Sequence, residues 1–181
     1  MDYISQSEKL FKFFELELDL GQKLKINEIR KKFCNDLNLF ACFIKDYLTL
    51  KNSFIAPKDE NIYSDFVLFF QNIEAETVLD EFDKYSTLFL KIVFEEERNP
   101  ILRNTIAIVN SCYLLEYYSV VMHLANKYYE KEIDIALLDR VLKAVESDVL
   151  ANFEKDNLQI DLKNEFIKYE KILLNKERMA S

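Results

Sequence analysis

Apolar residues recur every three to four positions along most of the chain, which is the spacing that places them on one face of an α-helix. Segment 5–20 begins with this spacing, but its second half, Phe14–Leu20, alternates between apolar and polar residues and is also compatible with a strand. We favour a helix there because no well-formed partner strand is evident. Gly21 follows at the position where a helix C-terminus favours glycine.

Predicted N-caps and helix-breaking residues indicate where the following helices begin and end. Asn27 and Ser64 are predicted N-caps, because a short polar side chain can accept hydrogen bonds from the first backbone N–H groups of a helix. The second helix either continues through 35–38 or breaks there. Asn99-Pro100 predicts the end of one helix and the start of the next, because proline fits the first helical position.

The later segments complete an all-helical prediction. Residues 100 to about 131 are apolar on most of their circumference, which is typical of a buried helix. Asp134 is a predicted cap of a helix that turns Leu138, Val141, Leu142, Val145 and Val149 inward. A last amphipathic helix is predicted from Asp161. We therefore expect an all-α antiparallel bundle of about six or seven helices with a long, mostly apolar central helix. The periodicity lapses over 52–63, which predicts a helical segment at 1–51, a linker at 52–63 and a bundle at 64–181.

Composition excludes several kinds of site. The chain has 181 residues, half of them hydrophobic, with one Gly, one His and three Cys. One glycine cannot build a glycine-rich phosphate loop, and zinc needs several Cys and His ligands at short spacing. A ferritin-like di-iron site needs Glu-x-x-His, but Val120 stands three positions before His123. We therefore expect neither a metal nor a cofactor.

The sequence also predicts a compartment. Residues 1–5 lack the basic and apolar stretches of a secretory signal. The apolar stretch 106–125 is interrupted by polar residues, so we do not expect a membrane span. The cysteines show no paired spacing. These features indicate a cytoplasmic protein with free thiols.

Charge is unevenly distributed. The formal net charge of -8 disfavours binding to nucleic acid, because the summed field repels phosphate. Acidic residues form a candidate interaction surface at Asp80, Glu81, Asp83, Glu95, Glu96 and Glu97. A candidate basic patch, which the net charge hides, comprises Lys23, Lys25, Arg30, Lys31 and Lys32.

The first third of the chain resembles a winged helix-turn-helix module in the order of its elements. A helix, a basic stretch, a second helix and a third helix follow one another before Ser53–Ile55. The resemblance implies DNA binding through the third helix, which would present polar side chains to base edges. Here that helix reads Leu39–Ile44 and has the composition of a core.

A polar stripe on the predicted central helix is the strongest candidate for a catalytic or binding site. Its members recur at spacings of three and four along the predicted central helix: Glu116, Ser119, His123, Asn126 and Glu130. A Ser–His pair near a carboxylate suggests a nucleophile and its base. Side chains on one helix do not surround a substrate, however, so the pattern favours a solvated or helix-facing stripe.

These observations favour a non-enzymatic protein that acts through protein–protein contact, as an adaptor, inhibitor or oligomeric scaffold. Its partner would be another protein or a second copy, with the acidic surface facing a basic partner. Two alternatives remain. One is a transcription regulator with an N-terminal helix-turn-helix-like module and a helical dimerisation or sensor region. The other is a small-molecule-binding or hydrolytic helical protein that uses Glu116, Ser119 and His123.

Overall fold

The computed structural model of the chain describes residues 3–154 and 160–179, with side chains as far as Leu174. Every regular element in these ranges is helical, which confirms the all-α class, although the α-helices there number nine rather than six or seven. The helices are α1 (Tyr3–Glu17), α2 (Leu20–Lys32), α3 (Leu37–Lys51), α4 (Ile62–Phe70), α5 (Ala75–Val93), α6 (Pro100–Ser111), α7 (Tyr118–Tyr129), α8 (Ile135–Glu154) and α9 (Leu162–Met179). Short 3₁₀ turns lie at Asp59–Asn61 and Leu115–Tyr117.

A capping box at Asp19 separates α1 from α2. Asp19 Oδ1 accepts a hydrogen bond from Gln22 N at 2.9 Å, and Asp19 N donates to Gln22 Oε1 at 3.2 Å. The segment that alternates in sequence is therefore helical up to Glu17, as we favoured, and the strand alternative is wrong. The predicted helix end at Gly21 and the predicted cap at Asn27 are also wrong, because both residues lie inside α2.

Two further predicted N-caps are present in the structure and one is not. Asn99 Oδ1 accepts from Ile101 N at 3.0 Å with Pro100 in the first turn, and Asp134 Oδ1 accepts from Leu137 N at 2.8 Å, so both predictions are confirmed. The chain breaks after α2, and Asp36 caps α3. Ser64 is not a cap. It lies inside α4, where its hydroxyl donates to Asn61 O at 2.9 Å.

Five of the described helices are followed by a residue with positive φ that is not glycine. These residues are Cys34 after α2, Ser53 after α3, Glu95 after α5, Tyr113 after α6 and Lys131 after α7, with φ of 53, 52, 55, 56 and 61°. After α7, Lys131 N donates to Tyr128 O at 3.0 Å and Glu132 N to Lys127 O at 2.9 Å, the paired bonds of a Schellman motif. In this sequence side-chain-bearing residues take the left-handed position that glycine usually occupies.

The prediction of one long central helix over residues 100–131 is wrong. Ser111 ends α6, and Tyr113 adopts the left-handed conformation. The chain then passes through the 3₁₀ turn into α7. Apolar periodicity did not reveal this break because Leu114, which lies within it, is itself buried.

The chain packs as two compact units, and α5 contributes residues to both. Unit 1 comprises residues 1–52 and 56–89, and unit 2 comprises residues 53–55 and 90–181. The sequence predicts a helical segment at 1–51, a linker at 52–63 and a bundle at 64–181. Packing alone does not test which of these segments folds independently, so that division stays a prediction.

Unit 1 has an aromatic core built from α1 to α5. The Phe43 ring lies at its centre, with centroid distances of 5.4 Å to Phe33, 5.4 Å to Phe82 and 5.7 Å to Phe89. All four side chains are almost fully buried. Aromatic pairs in tilted and edge-to-face geometry stabilise a core beyond the effect of area alone.

Unit 2 has a mainly aliphatic core. The stripe predicted to face inward on α8 is fully buried: Leu138, Val141, Leu142, Val145 and Val149. An aromatic contact is added by Phe54, from the short segment 53–55, whose ring stacks on Phe166 at 3.6 Å. This contact ties that segment to unit 2.

Two findings bear on the expected compartment. None of the described helices is long and apolar enough to cross a membrane. The three cysteines are free, with Cys34 exposed, Cys42 half-buried and Cys112 buried. The cytoplasmic location stays a prediction.

Lys131→Gly should stabilise the protein. The left-handed conformation costs a residue with a Cβ about 1–2 kcal/mol, and the greater flexibility of unfolded glycine offsets about 0.5–1 kcal/mol of the gain. We expect the free energy of unfolding to rise by about 1 kcal/mol in urea denaturation followed by circular dichroism. Lys131→Ala is the matched control and should give no such gain, because it removes the charge but keeps the Cβ. Equal stability of the two variants would contradict this account.

Candidate functional site

Two lysines of the predicted basic patch are paired with carboxylates on α5. Lys25 Nζ donates to Glu76 Oε1 at 2.7 Å and also to Asp80, and these two hydrogen bonds, that to Asp80 first, raise the pKa of Lys25. Lys32 Nζ donates to Asp83 Oδ1 at 2.7 Å. Asp80 and Asp83 belong to the predicted acidic surface. The two predicted surfaces therefore meet at these residues, and their opposite charges offset each other within unit 1.

The other cations of the basic patch have different surroundings. The guanidinium of Arg30 lies 4.3 Å from the centroid of the Phe11 ring, a cation–π contact. Lys23 is half-buried and Lys31 is exposed. Of the five predicted cations, Lys31 alone is exposed, and the other four are half-buried.

Glu81 also has partners inside unit 1. Its carboxylate accepts hydrogen bonds from the Tyr47 hydroxyl and from Lys51 Nζ. Burial, and then the hydrogen bond to Glu81, raise the pKa of Tyr47 above its usual range. All three α5 carboxylates of the predicted acidic surface are thus acceptors for groups of the same unit.

Glu95, Glu96 and Glu97 have three different environments. Glu95 Oε1 accepts from Asn110 Nδ2 at 3.0 Å, and Glu96 is exposed. Glu97 is only 5% exposed, so its assignment to an exposed acidic surface is wrong. Its Oε1 accepts from the Tyr129 hydroxyl at 2.5 Å and from Asn99 N at 2.8 Å, which compensates for its burial.

Glu97 forms part of the wall of a pocket of about 860 Å³ in unit 2. The pocket is lined by Lys91, Glu96, Glu97, Arg98, Asn99, Tyr128 and Tyr129. Lys91 Nζ lies 3.8 Å from Glu97 Oε2 and 5.1 Å from the Tyr129 ring centroid. Burial, and then the hydrogen bond to Glu97, raise the pKa of Tyr129. The lining carries two cations and two carboxylates, so it does not select a ligand by net charge.

The predicted polar stripe is divided by the start of α7. Glu116 lies in the preceding 3₁₀ turn and is exposed, whereas Ser119 is fully buried and its hydroxyl donates to Glu116 O at 3.2 Å. Asn126 is half-buried, and Glu130 is the exposed C-cap of α7. The stripe is therefore exposed at its two ends and buried or half-buried between them, and it does not line one surface.

His123 is packed among aromatic rings. Its ring centroid lies 5.0 Å from that of Phe166 and 5.7 Å from that of Phe54, both edge-to-face. Its Nε2 lies 3.5 Å from Glu170 Oε1 on α9. These contacts give His123 a structural role in holding α7, α9 and segment 53–55 together.

Sequence reasoning missed a polar network between the 3₁₀ turn, α8 and α9. Asn152 Nδ2 donates to the Tyr117 hydroxyl at 2.8 Å and to Glu165 Oε1 at 2.7 Å, and the Tyr117 hydroxyl donates to Glu165. Tyr169 donates to Asp148 Oδ2 at 2.9 Å. Burial, and then the hydrogen bond to Glu165, raise the pKa of Tyr117. A buried tyrosine hydroxyl needs a hydrogen-bond partner. The inward positions of Tyr117 and Tyr169 are therefore the sequence signal that could have revealed this network.

Three leucines near the junction of α1 and α2 are strongly exposed. Leu16, Leu20 and Leu24 have 72, 76 and 60% of their surface in solvent, and we call them the leucine stripe. Leu20 and Leu24 are one turn apart on the same face of α2. Neighbouring exposed leucines of this kind are typical of an interaction surface, whereas single exposed apolar residues are ordinary.

Comparison of the chain with protein-family models, curated proteins and solved structures finds no match. The described residues contain no group of His, Cys, Asp and Glu arranged to hold a metal ion.

Tyr117→Phe should destabilise the protein. It removes the hydroxyl that donates to Glu165 and accepts from Asn152, and leaving buried polar groups without a partner costs about 1–3 kcal/mol. We expect that loss in the free energy of unfolding from urea denaturation. Tyr113→Phe is the control, since Tyr113 is 83% exposed, and it should leave stability unchanged. Equal stability of the two variants would show that the network contributes nothing.

Proposed function

We propose that this chain is a non-enzymatic protein that acts through protein–protein contact, and that the leucine stripe is its contact surface. The observation that carries the proposal is the exposure of Leu16, Leu20 and Leu24 within nine consecutive residues. Burying an exposed leucine side chain contributes about 1.5–3 kcal/mol. Against the entropy cost of association, which is of similar size, three of them would supply the main favourable contribution to a weak or transient contact.

The charge distribution favours this apolar surface over an acidic one. A basic partner that binds the α5 carboxylates must compete with Lys25, Lys32 and Lys51, which already pair with them. Desolvating those pairs offsets most of the Coulombic gain from new ones. In our proposal, charge around the leucine stripe sets orientation and association rate, and the leucines supply the affinity.

The two alternatives have less support. A DNA-binding module needs a third helix with accessible polar side chains, but Phe40, Phe43 and Ile44 of α3 are almost fully buried. Hydrolysis by the polar stripe needs Ser119 beside a substrate, and Ser119 is fully buried. Neither arrangement presents reactive or basic groups to a ligand as openly as the leucine stripe presents its side chains.

We also propose a cytoplasmic location and an antiparallel arrangement of neighbouring helices. Three free cysteines suit a reducing compartment. Asn152 pairs with Glu165, and Asp148 with Tyr169, so residue numbers fall along α8 as they rise along α9. That register supports an antiparallel α8–α9 pair.

A capture experiment tests the proposed function. Tagged protein is used to retain partners, including an untagged second copy, from native lysate, and the recovered proteins are quantified by mass spectrometry. The double variant Leu20→Ala/Leu24→Ala should reduce recovery of any specific partner at least about tenfold, because each tenfold step corresponds to about 1.4 kcal/mol. Leu68→Ala is the matched control, since Leu68 is a leucine on α4 that is 65% exposed.

Two results would contradict the proposal. One is equal recovery by the double variant and the control. The other is recovery of no protein above the background of an untagged sample.

A further inference from the structure

The pocket of unit 2 contains a buried carboxylate with an unused hydrogen-bond acceptor. Glu97 is 5% exposed, and the Tyr129 hydroxyl and Asn99 N both donate to its Oε1. The second oxygen, Oε2, accepts no hydrogen bond from the described residues, because Lys91 Nζ lies 3.8 Å away, which is beyond hydrogen-bond distance. A buried carboxylate oxygen is stabilised by a donor. A ligand in the pocket can provide that donor.

Two cations of the same pocket retain free donors. The contacts of Lys91 are the 3.8 Å approach to Glu97 and the cation–π contact with Tyr129, so its ammonium keeps N–H groups for a ligand. Arg98 is exposed and forms no ion pair with a described residue. Its guanidinium has five N–H donors, in a geometry that suits a carboxylate. Lys91 and Arg98 can therefore bind an anionic group together.

The mixed charge of the lining favours a ligand that carries both charges. A simple anion is repelled by Glu96 and Glu97, and a simple cation is repelled by Lys91 and Arg98. An α-amino acid carries its ammonium and carboxylate on one carbon, about 3 Å apart by standard bond lengths. This separation is close to the 3.8 Å between Lys91 Nζ and Glu97 Oε2. One zwitterion can thus contact both groups at once.

The remaining wall of the pocket is aromatic. The ring centroids of Tyr128 and Tyr129 are 5.4 Å apart with an interplanar angle of 56°, and Tyr129 is 43% exposed. An exposed ring offers a packing surface to a further aromatic ring, in stacked or edge-to-face geometry. The volume of about 860 Å³ lies within the range of about 300–1,000 Å³ that is typical of small-molecule sites.

We propose that this pocket binds a free α-amino acid with an aromatic side chain. The ammonium of the ligand donates to Glu97 Oε2, and its carboxylate accepts from Lys91 and Arg98. The ring of the ligand packs against Tyr128 and Tyr129. This site shares no residue with the leucine stripe and does not depend on the proposed contact function.

Three ligands with the same phenyl ring test the proposal. L-phenylalanine carries both charges, phenethylamine only the ammonium, and hydrocinnamate only the carboxylate. NMR titration of the isotope-labelled full chain measures each dissociation constant and identifies the backbone amide signals that shift. We expect L-phenylalanine to bind at least about tenfold more tightly than either analogue, and to shift signals of residues 91–99 and 128–129. No binding of L-phenylalanine at millimolar concentration, equal binding of the three ligands, or shifts confined to other residues would overturn the proposal.

Variants of the two charge partners complete the test. Arg98→Gln should weaken L-phenylalanine binding at least about tenfold and leave phenethylamine binding unchanged. Arg140→Gln is the matched control, because Arg140 is an exposed arginine on α8 outside the pocket lining, and it should bind L-phenylalanine like the unmodified chain. An Arg98→Gln variant that also binds L-phenylalanine normally would overturn the proposal.

Glu97→Gln tests the ammonium contact. The amide oxygen of glutamine can still accept from Tyr129 and Asn99, so the thermal unfolding midpoint should stay close to that of the unmodified chain. The amide NH₂ group in place of Oε2 cannot accept from an ammonium, and L-phenylalanine binding should weaken at least about tenfold. Unchanged binding by a folded Glu97→Gln variant would also contradict the proposal. If this variant does not fold, the Arg98→Gln comparison and the three ligands still decide.

Discussion

The orientation of α2 is the constraint on which the account of unit 1 depends. One side of this helix contributes Ile26 and Ile29 to the core, while Lys25 and Lys32 reach carboxylates on α5. Each exposed ion pair contributes only about 0–1 kcal/mol to the free energy of unfolding. The main effect of these pairs is therefore to fix which side of α2 faces inward. With that side held against α5, Leu20 and Leu24 necessarily face away from the core.

The same orientation explains why charge is a poor guide to a binding surface here. In sequence, the basic residues of α2 and the acidic residues of α5 lie about 50 positions apart and look like two separate surfaces. Folding brings them into contact, and Asp80 and Asp83 become partners for Lys25 and Lys32. Leu20 and Leu24 remain exposed on α2, beside Asn27, Glu28 and Lys31, and these leucines favour a contact driven by burial rather than by long-range attraction.

Periodicity and cap chemistry predicted the helical class, the inward stripe of α8 and the helix starts at Asn99 and Asp134. These signals failed where a helix ended or started at a residue other than the one that the local pattern favours. Tyr113 ends a helix in a conformation usually given to glycine, so no sequence signal marked the break between α6 and α7. Gly21 looked like a helix end, but Asp19 and Gln22 form a capping box that starts a helix through it. Partners distant in sequence, such as Tyr117 and Glu165, depend on tertiary packing that periodicity does not encode.

The central claim is that α2 turns its isoleucines inward and its leucines outward. The most direct measurement is the relaxation that a soluble paramagnetic reagent causes in methyl NMR signals, recorded at a dilution where the chain is monomeric. The account predicts strong relaxation of the Leu20 and Leu24 methyl groups and little for Ile26 and Ile29, which are 3% and 0% exposed. Leucine methyl groups as protected as those isoleucines would contradict it.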